Sequence, residues 1–238
     1  KSMRAAREWW EKSAGGGNID ALVRLHEKKS DIWLTSSAFS FRGVYEASEL
    51  AELQKKAKTG DPESLYLLGL MQIYGASSNS KLPPMEINEP EGREMIRQAA
   101  EAGWEDAQLW LGSFYLQNGI NGKKPHHFQE AWSLLSRTAD AGNPQGQLLV
   151  ACMLGKGYGV SQDPKTAAVW LEKSANQGNA MAMEKLSMCY LQGVGVPEDR
   201  EEASRWYQRY FQSISTNKQK AMKRFEGSKE MDQGPNNP

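Results

Sequence analysis

The chain of 238 residues carries 29 basic and 29 acidic side chains, is 39% hydrophobic and has a mean hydropathy of −0.67. Zero net charge removes the overall field that draws a chain to nucleic acid or to an anionic membrane, and no apolar run approaches the roughly 18 residues that span a bilayer. Eight tryptophans, ten methionines and mixed charge exclude global disorder.

The chain opens at Lys1-Ser2-Met3 inside a pattern, Ala6 to Asn18, that returns as Ala167 to Asn179. No signal peptide is visible, and this start leaves room for a leader or an earlier unit before Lys1. The last glycine of the pattern begins a series, Gly17, Gly60, Gly103, Gly142 and Gly178, at intervals of 43, 43, 39 and 36 residues. A second series of small residues, Gly69, Gly112, Ala151 and Ser187, follows nine residues after each of the last four. This periodicity predicts repeated units, each a helix pair: 1–17 in part, then 18–60, 61–103, 104–142, 143–178 and 179–211.

Within a unit, the first helix carries a small residue and then Leu-small, as in Ser64…Leu68-Gly69 and Ala107…Leu111-Gly112. The second helix carries apolar positions three and four apart, as in Ala131, Leu134, Leu135, Thr138 and Ala139. The terminal glycines suit the left-handed turn that stops a helix. Asp61, Asn143 and Asn179 follow at once, placed to cap the next one. Extra residues are expected between the two helices of the longer units, in Ser36–Tyr45, Gly75–Pro90 and Asn118–His127. Beyond Phe211, residues 212–238 read as a capping helix within Lys218–Lys229 and a disordered tail.

The last two interhelical links read Gly157-Tyr158-Gly159-Val160-Ser161-Gln162-Asp163-Pro164 and Gly193-Val194-Gly195-Val196-Pro197-Glu198-Asp199. With the Ala-x-x-x-Leu-Gly first helix and the Ala-x-x-Trp-x-x-x-Ala second helix, they resemble the Sel-1-like repeat family, relatives of the tetratricopeptide repeat. The resemblance covers about Arg4 to Phe211. It implies an all-α fold, a right-handed α-solenoid of about five antiparallel helix pairs, and a module that binds another protein.

Chemistry is sparse. The only histidines are His26, His126 and His127, and neither His-Glu-x-x-His nor Cys-x-x-Cys occurs, so zinc has no recognisable motif. His126 and His127 read as a solvated loop pair, or alternatively as a partner contact. Gly155-Lys156-Gly157-Tyr158-Gly159 lacks the Gly-Lys-Ser/Thr ending and the preceding strand of a phosphate loop. Cys152 and Cys189 make no disulfide framework and are expected to be buried thiols in first helices. They suit a reducing compartment or an envelope protein that needs no staple. No acid–base pair or activated nucleophile is evident, so neither enzyme activity nor a cofactor is expected.

Aromatic residues give the candidate surface. Trp9, Trp170 and Trp206 recur at one second-helix position and are expected in the core. Trp104 stands where other units place Asp61, Asn143 and Asn179, and Trp110 where they place Leu67, Leu149 and Lys185. With Phe114 or Tyr115 one turn on, these tryptophans form either an exposed anchor patch or local packing against the Gly75–Pro90 insertion. The candidate partner-binding residues are therefore Trp104, Trp110, Phe114, His126 and His127. By resemblance, the most specific role is a bacterial immunity protein that occludes a secreted antibacterial effector such as a phospholipase, in the periplasm or envelope. The alternatives are an envelope or secretion assembly scaffold and a host-interaction factor.

Overall fold

The structure, a computed structural model, describes residues 47–74, 87–122 and 125–232. Among these residues every regular element is a helix: α1 (Ala47–Lys58), α2 (Pro62–Tyr74), α3 (Glu89–Glu101), α4 (Glu105–Gly122), α5 (Pro125–Asp140), α6 (Pro144–Lys156), α7 (Pro164–Asn176), α8 (Ala180–Gln192) and α9 (Arg200–Asp232). The first unit's insertion, Ser36–Tyr45, lies outside the described residues, as do Gly17, Trp9 and His26.

The glycine series stops helices as its spacing predicts. Gly60, Gly103, Gly142 and Gly178 all have positive φ, between 84° and 98°. At each junction the next residue donates its backbone N–H to a carbonyl five residues back: Asp61 to Lys56, Trp104 to Ala99, Asn143 to Thr138 and Asn179 to Ser174. This is the bonding that closes a helix on a left-handed residue. Each expected cap also forms. Asp61 accepts the Ser64 N–H at 2.9 Å, Asn143 those of Gln145 and Gly146, and Asn179 that of Ala182. Orphan donors at three helix starts are thereby satisfied by side chains encoded next to the stop.

The chain divides into two compact units after Gln162. In the first, small residues set how closely helices approach. A Cβ added at Gly69 of α2 would meet Ile96 Cγ1 of α3 at 2.6 Å, and one at Gly112 of α4 would meet Leu135 Cγ of α5 at 2.7 Å. The buried side chains around these contacts include Leu65, Tyr66, Leu70, Ile96, Ala99, Ala100, Ala107, Trp110 and Leu111, which form one cluster. Two buried glutamines tie the first helices α4 and α6 to the end of the helix before each. Gln108 donates to the Ala100 carbonyl at 3.0 Å and Gln147 to the Ala139 carbonyl at 3.4 Å. A buried amide without such an acceptor costs about 1–3 kcal/mol, so these bonds fix register as well as contact. In the second unit, α7, α8 and α9 bury Ala167, Leu171, Ala175, Ala182, Leu186, Ala203, Trp206 and Tyr207, and the Ser187 hydroxyl donates to the Ala203 carbonyl at 2.7 Å.

The Gly-x-Gly-Val links have a positional reason. The second glycine of each, Gly159 and Gly195, has a φ of 71° and 77° respectively. Each also presses on backbone 31 residues earlier: a Cβ at Gly159 would lie 2.9 Å from Phe128 C, and one at Gly195 only 2.0 Å from Pro164 O. Both the dihedral and the close approach demand glycine. Beside the first of these contacts, Tyr158 stacks on Phe128 with centroids 5.1 Å apart.

Four expectations need correction. The extra residues of the third unit do not form a loop, because α4 continues through Asn118 to Gly122 and α5 starts at Pro125. No proline stands between Glu105 and Gly122, and Gly119 stays helical with the Phe128 ring packed against it, so the insertion lengthens the helix instead. The last helix does not end near Phe211 but runs unbroken from Arg200 to Asp232. The cysteines are half-buried rather than buried, and neither is in a disulfide. Of the recurring tryptophans, Trp206 is buried, whereas Trp170 is half-buried under the Lys173 ammonium, 4.1 Å from its ring centroid.

Candidate functional site

The aromatic residues singled out in the sequence lie along α4 and the start of α5. Trp110 and Phe114 stack nearly parallel, with centroids 5.5 Å apart and planes 7° apart. Phe114 meets Tyr115 at 5.9 Å, Tyr115 meets His127 at 5.4 Å, and His127 meets His126 edge-on at 4.4 Å. The result is a ladder of five rings. From α3, the Arg93 guanidinium sits 5.6 Å from the Phe114 centroid and pairs with Glu89 at 3.0 Å.

Exposure runs along this ladder in the opposite sense to the expected tryptophan patch. Trp110 is only 5% exposed and belongs to the core, so the exposed reading of this residue is corrected. It faces the cluster of α2 and α3 side chains, and that contact takes priority over the polar residue found at the same place in the fifth unit. Trp104 is half-buried against the same cluster, and its indole Nε1 is buried with no hydrogen-bond partner among the described residues. The alternative partner for both, the Gly75–Pro90 insertion, lies mostly outside the described residues. Phe114, Tyr115 and His127 are half-buried, and His126 is exposed.

The histidines are not in a loop. Pro125 opens α5, and both occupy its first turn. A residue absent from the sequence reading, Glu130, then comes one turn on, four positions after His126 and three after His127. One ligand atom from each of these three residues lies within 4.8 Å of the others. Burial, reinforced by the negative charge of Glu130, raises the Tyr115 phenol above its ordinary range. This keeps the ring neutral through the physiological range.

Glu130 and Arg93 are the two residues of this site that the sequence analysis missed. Spacing of three and four from the histidines is a helical signal, and it became legible only with the helix start at Pro125. Arg93 belongs to a different repeat unit, and no local pattern joins it to Phe114. Near it, Arg97 pairs with Glu94 at 2.5 Å and with Glu101, and together with Gln98 it lowers the Glu94 carboxyl to about 2. These groups are exposed, so the pairs shape surface charge more than stability.

The Sel1 repeat model matches residues 1–18, 62–104, 105–143, 144–179 and 180–209, well over half of the chain. Solved structures agree in fold. A Sel1 repeat protein from Oxalobacter formigenes aligns with a TM-score of 0.57 at 24% identity, covering 68% of this chain and 61% of its own. A protective antigen of uropathogenic Escherichia coli that displays the SLR fold aligns at 0.60 and 24% identity, covering 89% and 44%. Among curated proteins, chitin synthase regulatory factor 3 of Schizosaccharomyces pombe is 34% identical over 89 residues. That match takes in 37% of this chain but only 9% of the yeast protein. The fold is an all-α solenoid, and repeats of this kind are protein-interaction modules. The chain belongs to the Sel1 repeat family.

Proposed function

We propose that this chain is a non-catalytic binding module whose partner docks on the exposed end of the aromatic ladder. The observation that carries the reading is the graded exposure from Trp110 to His126, with Arg93 over Phe114. Such an arrangement supplies rigid rings, already ordered by stacking, at the edge of a packed core. Aromatic and arginine side chains in that setting are the usual energetic anchors of an interface. Preordering lowers the entropy lost on binding. Trp104 and Trp110 support the surface from beneath, while Phe114, Tyr115, His126 and His127 present it.

In its most specific form the module is an immunity protein that covers the active site of a secreted antibacterial effector. The name of the fission yeast relative, a regulatory factor, is in keeping with a role exerted on another protein. An envelope or secretion scaffold would use the same surface without inhibiting an enzyme, and a neighbouring toxin or phospholipase gene separates the two.

The test is affinity capture from native lysate with wild type, Arg93→Glu and Phe114→Ala as baits, each checked for fold by circular dichroism. The reading expects one enriched partner whose recovery falls roughly tenfold with either variant, as for loss of a single anchor. A partner retained undiminished by both variants removes the ladder from the interface. Recovery of no partner, together with hydrolysis of a generic ester by the purified chain, overturns the module reading.

A further inference from the structure

We propose that His126, His127 and Glu130 form a surface site for a divalent transition-metal ion of the zinc class, open toward solvent. The two imidazoles and one carboxylate each bring a ligand atom within 4.8 Å of the other two. Zinc bound by such a set needs nitrogen and oxygen donors at about 2.0–2.2 Å. Tetrahedral geometry at those lengths puts neighbouring donors roughly 3.4 Å apart. Closing the remaining gap takes on the order of 1 Å of side-chain rotation. His126 and Glu130 are exposed and free to make it.

Local structure explains why two adjacent histidines converge at all. Neighbours on a helix point about 100° apart, yet these rings meet edge-on at 4.4 Å. Helical side chains lean toward the N-terminus, and on the first turn of α5, just after Pro125, no earlier turn of that helix blocks them. Glu130, at spacings of four and three, lies on the next turn of the same face.

A second observation points the same way. His127 Nδ1 is buried without a hydrogen-bond partner among the described residues. A buried polar nitrogen left so is destabilising, and the ring is held against Tyr115 at 5.4 Å. An ion bound at Nδ1 itself takes up that nitrogen's lone pair and relieves the deficit without needing a donor.

The donor chemistry selects the metal. Imidazole suits zinc, nickel and copper, whereas magnesium and calcium require mostly oxygen. The positive end of the helix opposes a dication, and Lys123 and Lys124 precede it in sequence, which sets the affinity at a modest level. Three protein ligands leave at least one position for water, the arrangement of an open site rather than a closed structural one.

The proposal is independent of the partner reading, because its probe is the metal alone. Isothermal titration of the metal-stripped full chain with zinc chloride should show one ion per chain, and magnesium chloride should show none. His126→Ala and Glu130→Gln, both at exposed positions, should each weaken zinc binding by roughly tenfold or more, since even outer-shell partners cost about that much. Their far-UV circular dichroism should match wild type. The Cys152→Ser/Cys189→Ser variant should bind as wild type does. No saturable zinc binding overturns the proposal. So does binding that survives His126→Ala and Glu130→Gln but is lost with the serine variant.

Discussion

Replacing Trp110 by alanine separates core from surface more sharply than any other single change. The side chain is 5% exposed and stacks on Phe114. A buried tryptophan removes about 200 Å² from water, and at about 25 cal/mol per Å² this amounts to about 5 kcal/mol. That figure is an upper bound because the unfolded chain already shelters part of the surface. Partial collapse of the cavity lowers the cost further, and measured Trp→Ala changes fall near 3–5 kcal/mol. We expect about 4 kcal/mol for Trp110→Ala, including the lost stacking. Urea unfolding followed by far-UV circular dichroism should show a midpoint lower by more than about 1 M, given typical urea slopes of about 1–3 kcal/mol per M. Val169→Ala, at a side chain 50% exposed, is the control and should stay within about 0.5 kcal/mol of wild type. A Trp110→Ala midpoint as close to wild type as that control would refute the core assignment and return Trp110 to the surface.

The remaining predictions concern helix ends and links. Gly178→Ala places a side chain at a φ of 91° with open space around it, so it should cost about 1–2 kcal/mol from backbone strain alone. Gly195→Ala adds a clash with the Pro164 carbonyl and should cost clearly more, with faster amide exchange in the first turn of α7; equal costs would count against the docked link. Asn143→Ala removes the Oδ1 that accepts from two backbone N–H groups and the Nδ2 that donates to Glu105 at 2.6 Å, and should lose about 1 kcal/mol in thermal unfolding. A loss below about 0.3 kcal/mol would show that water replaces the cap. The Thr166 hydroxyl and backbone N–H hold the Asp163 carboxyl below its ordinary range. Its stabilising effect is therefore present above the unfolded value near 3.9 and is lost as pH falls through the lower folded value. The thermal midpoints of wild type and Asp163→Ala should differ at pH 7 and converge in strong acid, and a gap constant with pH would contradict this.

Some of this architecture is written in single residue types, and some is not. A helix stop needs positive φ, and a cap needs a short polar side chain, so Gly60-Asp61, Gly142-Asn143 and Gly178-Asn179 announce themselves. Burial at a repeat position is different, because it depends on what covers that face. Leu149 is buried, Leu67 half-buried and Lys185 exposed, although all three stand two residues before the small residue of a first helix. Trp110 shares that position, and its neighbours rather than its own segment decided that it is core. The histidine pair was misread for a local reason, since an Asn-Gly and Lys-Lys-Pro stretch looks like a loop, yet α4 runs to Gly122 and α5 starts at Pro125. Once α5 begins at Pro125, the grouping with Glu130 follows from helical geometry.

The docked glycine links also bear on how such an array can change length. Seven residues, 157–163, join α6 to α7, and seven, 193–199, join α8 to α9, each with its second glycine against earlier backbone. One residue added to either link would push that glycine off its seat. Between α2 and α3 the linking segment, 75–88, is twice as long, and it carries no Gly-x-Gly-Val. The two seated links are thus closed to insertion. A change in the length of a unit has therefore to fall outside these links if their glycines are to keep their places on the earlier backbone.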